Sequence, residues 1–186
     1  MDKITKQTLN KKLTVPFIVT LVGVLLVVIA LFLPYMTAVG EMADYIEKFP
    51  DRIEIESPDL TAGDMANIPV MSVSKLITGI YGEDDGVIAN AIVFVLGGFL
   101  ALTALFTILK KPIAIMVFDL LSFGTFAFLN FLMKEDFIGT DKYAWGVGYY
   151  IILMGVVVTF AGAVWMLVKK TVEKKKLSED LLQSQQ

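Results

Sequence analysis

The sequence holds no cysteine and no histidine among its 186 residues. Without cysteine no disulfide can staple the loops, which must be held by packing alone. Thiol nucleophiles, Ser-His triads and His/Cys metal sites are excluded at the same stroke. Charge is also scarce where it matters most. Four long apolar runs contain no lysine or arginine and a single acid, Asp119. No set of residues has the spacing of a catalytic signature, so neither a reaction class nor a cofactor is implied.

What is present is apolar length. The chain is 56% hydrophobic with a mean hydropathy of +0.70, above the roughly 45–50% apolar share of soluble domains. Most of the excess falls in four segments, 15–35, 87–109, 112–133 and 145–168. About 20 apolar residues are needed for a helix to cross roughly 30 Å of hydrocarbon, and each segment reaches that length. The expected fold is an all-α membrane protein, a four-helix transmembrane bundle with a small folded cap outside, formed by residues 36–86.

Basic residues set the orientation. Eleven of the 16 lie in the N-terminal segment, in the Lys110-Lys111 link and in the tail 169–186. These three segments are expected to be cytoplasmic, which makes the chain a multi-pass protein of the cell membrane with both termini on the cytoplasmic side. The loops on the other side hold 14 of the 19 acids and carry a net charge of −9, against +7 inside. Tyr35, Tyr143, Trp145, Tyr149 and Tyr150 are expected at the outer interface and Trp165 at the inner one. With only Lys110, Lys111 and Pro112 between them, the second and third spans must form an antiparallel hairpin. The first span has a second reading. Its lysine-rich start, apolar run and Ala38-Val39-Gly40 also fit a signal peptide cleaved after Gly40.

In the outer loop, Met42, Tyr45, Ile46 and Phe49 share a face, predicting a helix over 41–49 that continues the first span outward. Residues 52–56 alternate and predict a strand. Ser57-Pro58-Asp59 and Ser72 read as helix starts, the latter opening an apolar stripe of Val73, Leu76, Ile77 and Ile80. Glu83, Asp84 and Asp85 are acids at a helix N-terminus. They are also a weak candidate for a divalent cation, although the spacing matches no EF-hand.

Inside the spans, Asp119 stands out. Eight residues past Lys111, it is roughly 12 Å deep at 1.5 Å per residue. A carboxylate there costs several kcal/mol (about 2.5–3.5 on insertion scales) unless paired, protonated or watered. Asp119, Ser122, Phe126 and Asn130 fall on one helix face. Thr20, Thr103 and Thr159 lie at similar depth, so the four can form a hydrogen-bonded layer. Such a layer is helix glue or part of a proton or ion relay. Asn90 and Asn130 are placed to bond across the hairpin. Gly148, Gly155 and Gly162 recur every seven residues and invite a close backbone, with Gly97 and its neighbours in the second span as the expected answering face.

The four-span layout with its larger first outer loop resembles the claudin-like tetraspan topology, although that family's Trp and Cys signature is missing from residues 36–86. The stretch Leu33-Pro34-Tyr35-Met36-Thr37-Ala38 before an acidic segment resembles uncharacterised small four-span membrane proteins of Gram-positive bacteria. Both resemblances imply architecture and carry no residue roles. The expected partners are the lipid bilayer and another protein or a second copy of the chain. Nucleic acid is not expected, since the lysines lack interleaved aromatics. The expected role is a non-catalytic accessory or assembly subunit, engaged through the acidic loop or the glycine seams. The alternative is a small transporter or channel subunit working through Asp119.

Overall fold

The computed structural model describes residues 13–52 and 61–183. The chain is mostly helical, and three of its helices are long and apolar enough to cross a membrane. Four helices pack side by side. They are α1, Thr14–Ala30; α5, Glu83–Ile108; α6, Pro112–Asp136; and α7, Val147–Gln183. The shorter α1 has 17 residues, about 25 Å at 1.5 Å per residue. It stops short of the expected 15–35 because Pro34 has no N–H and disfavours helix in the residue before it.

The tightest seam joins α1 to α7. The buried residues of α1 include Pro16, Thr20, Gly23, Val27 and Ala30, and those of α7 include Gly148, Ile152, Gly155, Thr159, Gly162 and Met166. Both series step by four and three, the heptad rhythm that keeps one stripe facing its partner at a small crossing angle. Gly148 lies against Ala30 and Leu33, Gly155 against Val27 and Gly23, and Gly162 against Thr20. The two helices are therefore antiparallel. Helices α5 and α6 form the expected hairpin, turning through Lys110 at φ 51°.

At the end of the bundle where α1 finishes and α7 begins sits a three-stranded antiparallel sheet that the sequence reading did not foresee. Strand β1, Pro34–Ala38, is central, flanked by β2, Asn67–Pro69, and β3, Tyr143–Trp145. Met36 faces Ile68 on one side and Trp145 on the other. Because β3 takes Tyr143 to Trp145, α7 starts at Val147 and not at 145. The Gly146 N–H donates to the Tyr35 carbonyl at 2.8 Å, closing the junction.

Three short helices complete this layer: α2, Gly40–Lys48; α3, Ala62–Ala66; and α4, Val73–Tyr81. The predicted helix at 41–49 exists, but β1 separates it from α1, so it does not continue the first span. A capping box starts α3, with Thr61 Oγ1 accepting from the Asp64 N–H and Asp64 accepting from the Thr61 N–H. This exchange holds the Asp64 carboxyl below its ordinary pKa. In α4, Val73, Leu76 and Ile77 are buried and Ile80 is exposed. Gly82, at φ 103°, breaks α4 from α5 in a conformation that suits glycine. Of the predicted strand, Arg52 is helical, and residues 53–60, with the predicted start at Ser57, lie outside the described residues.

The larger core runs from the bundle into the sheet, through Val27, Tyr35, Met36, Ile68, Leu76, Leu96, Phe126 and Ile152. A smaller cluster of Leu13, Ile115, Ala163 and Met166 closes the other end.

Candidate functional site

Asp119 is carried inward by the buried stripe of α6, which runs Ile115, Asp119, Ser122, Phe126, Leu129, Met133. It is 1% exposed, and among the described residues its Oδ2 has no hydrogen-bond partner. It lies in the wall of a groove of about 340 Å³ between α6 and α7, lined otherwise by Leu120, Phe123, Val156, Val157, Phe160 and Ala161. A buried polar atom left unsatisfied costs about 1–3 kcal/mol, more if charged. The carboxyl therefore lies sealed behind the apolar lining of this groove, with bonding capacity that the described residues leave unused.

The expected hydrogen-bonded layer does not form. Thr20, Thr103 and Thr159 are all buried, yet each hydroxyl donates to its own helix: Thr20 to the Pro16 carbonyl at 2.8 Å, Thr103 to Phe99 at 2.9 Å and Thr159 to Gly155 at 2.8 Å. Ser122 does the same with Phe118 at 2.8 Å. A threonine can satisfy its donor on the carbonyl four residues back, so similar depth did not compel a shared network.

The glycine stripe of α7 meets α1 and not α5. A Cβ on Gly162 would stand 2.5 Å from Thr20 Oγ1 and 2.7 Å from its N, and one on Gly155 would stand 2.6 Å from Val27 Cγ2. Around Gly97 nothing lies within 4 Å, so its expected place opposite α7 is corrected. The answering glycine is Gly23, whose Cβ would meet Thr159 N at 2.5 Å. The 16-20-23-27-30 spacing in the first span was the available signal.

The asparagine pair is also corrected. Asn90 is exposed, while Asn130 Oδ1 accepts from the Tyr35 hydroxyl at 2.6 Å. Tyr35 is fully buried and packs edge-on to Phe126 and against Trp145, which stacks on Tyr149. Of the expected outer aromatic belt, Tyr150 is exposed, while Tyr35 and Tyr143 are core residues. Tyr143 keeps a buried hydroxyl with no partner among the described residues, and burial pushes its pKa up to about 12. Trp165 is exposed at the opposite end, under the Lys169 ammonium.

Glu83, Asp84 and Asp85 form the exposed first turn of α5. Among the described residues no three acids gather to hold a metal, so the cation reading has no geometry behind it. Asp85 does share a cleft of about 320 Å³ with Asp136 and Tyr81, floored by Ala89, Leu129 and Met133. Desolvation first, then the Asp136 and Asp85 charges, raise the Tyr81 pKa. Sequence reading missed this pairing, because the two aspartates are 51 positions apart. No known protein family, curated protein or solved structure matches this chain.

Proposed function

We propose that this chain is a four-span membrane protein with both termini in the cytoplasm, and that it acts without catalysis as an accessory or assembly subunit. The lysine distribution supports the orientation. The close packing of α1 on α7 supports α1 as a retained fourth span and not a cleaved leader. Residues 36–86, together with β3, then form the outer cap.

The observation that carries the role is Asp119 Oδ2, buried beside an apolar groove without a partner among the described residues. A transmembrane helix laid along α6 and α7, offering one hydroxyl, amide or basic donor, would satisfy it, as polar side chains do between membrane helices. The α7 glycines are already filled by α1, which leaves this groove, the open α5–α6 face around Gly97 and Gly124, and the acidic cap for a partner. A second copy of the chain is one form the partner takes; a different protein is the other.

Asp119 also favours a second reading, a transporter or channel subunit with a protonatable group in the membrane. The two readings separate on substitution. A photo-crosslinker at Phe123 or Phe160 in native membranes is expected to trap one protein in stoichiometric yield. Asp119→Asn keeps hydrogen bonding and is expected to preserve that product, while Asp119→Leu removes it. Crosslinks to lipid alone would overturn the subunit reading. A transport phenotype lost equally in both variants would establish the second.

A further inference from the structure

The end of the bundle opposite the sheet carries a groove of about 560 Å³ where α6 begins and α7 leaves its apolar stretch. Lys111, Lys170 and Lys174 line it, with Pro112, Ile113 and Leu167 as its apolar wall. The neighbouring lysines are turned elsewhere, Lys110 over the Phe17 ring and Lys169 over Trp165. Among the described residues no carboxylate pairs with any of the three. Glu173, close by in sequence, is engaged in a contact of its own. The first turn of α6 adds to the positive field, with no acid and no capping side chain among the described residues.

Three ammoniums without a carboxylate partner among the described residues, above an apolar wall and at the level where hydrocarbon gives way to headgroups, match one ligand chemistry. We propose that this groove binds an anionic glycerophospholipid of the cytoplasmic leaflet. Its phosphate sits among Lys111, Lys170 and Lys174, and one acyl chain runs along Ile113 and Leu167. The proposal rests on α6 and α7 being membrane spans, and not on any protein partner.

The full chain, purified in mild detergent, would be titrated with phosphatidylglycerol or phosphatidylcholine and read by native mass spectrometry. One phosphatidylglycerol per chain is expected, and phosphatidylcholine should bind far more weakly. Each basic residue near the surface contributes about 1 kcal/mol, which is about fivefold in affinity. Lys170→Gln with Lys174→Gln is therefore expected to lose on the order of 25-fold. Lys175→Gln with Lys176→Gln removes the same charge outside the groove and should change binding less than about twofold, well short of one lysine's share. Equal loss in the two double variants, equal binding of the two lipids, or displacement by millimolar inorganic phosphate would overturn the site. Resistance of the chain to alkaline carbonate extraction reports membrane insertion separately, so a failed lipid site is not confused with a failed span.

Discussion

Gly23→Ala tests the packing of α1 on α7 with a single methyl group. The added Cβ would stand 2.5 Å from both N and Oγ1 of Thr159 and 2.9 Å from the Gly155 carbonyl oxygen. Ordinary contact needs about 3.5–4.0 Å, so about 1 Å of separation must be found. Two of the three atoms belong to backbone, and a rotamer change cannot supply it; α1 has to lift away from α7. Overpacking of this kind costs about 1–3 kcal/mol. Alanine also raises helix propensity by about 1 kcal/mol over glycine, which partly hides the loss. Gly97→Ala provides the reference, since nothing lies within 4 Å of its new methyl. Propensity acts on both variants, so their difference isolates the overpacking, about 1–3 kcal/mol. The assay is reversible unfolding in mixed micelles on titration with dodecyl sulfate, followed by tryptophan fluorescence. Gly23→Ala should unfold at lower denaturant than wild type, and Gly97→Ala at equal or higher denaturant. Coincident curves for the two variants would refute the close approach of α1 and α7.

Three further outcomes are expected. Tyr35→Phe removes the donor to Asn130 and leaves a part-buried amide oxygen unpaired, costing about 1–3 kcal/mol in the same assay; an unchanged curve would show that the bond is not formed. In the isolated chain, Asp119→Leu is expected to stabilise by about 1–3 kcal/mol, since it deletes an unsatisfied polar group; destabilisation would mean that Asp119 has a partner within the chain. Tyr143, with its pKa raised from 10.0 to about 12, holds its proton in the folded state after the unfolded chain has lost it. Its stabilising contribution is therefore full below pH 10.0, falls as pH rises from there and is gone above about 12. Tyr143→Phe should flatten that part of the stability profile, and an unaltered alkaline slope would contradict the burial.

The parts of the fold legible in the sequence are those carried by long apolar runs and by a short link. Apolar length located α5, α6 and α7, each long and apolar enough to cross a membrane. The two-lysine link left the α5–α6 hairpin no alternative. The stripe of Val73, Leu76 and Ile77 was readable because it is one turn of helix against a core. The sheet was not readable. Two of its strands have only three residues, too few for alternation to show, and long-range pairing with β1 holds them in place. Seven-residue spacing revealed the α7 glycines but not their partner, since every span carries small residues. The buried face of Asp119 was visible from helical periodicity, whereas the hydroxyls around it had a local bonding choice that depth could not exclude.

The absence of cysteine permits the most direct test of the central claim, that the chain crosses the membrane four times with the lysine-rich segments inside. Single cysteines replacing Thr5, Asp44, Lys110, Asp141 and Ser178 would be treated with a membrane-impermeant maleimide in intact cells and again after permeabilisation. The cysteines at 44 and 141 should label in intact cells, and those at 5, 110 and 178 only after permeabilisation. Labelling at 5 and 44 from the same side would show that α1 does not cross, and labelling at 110 in intact cells would invert the orientation on which the account depends.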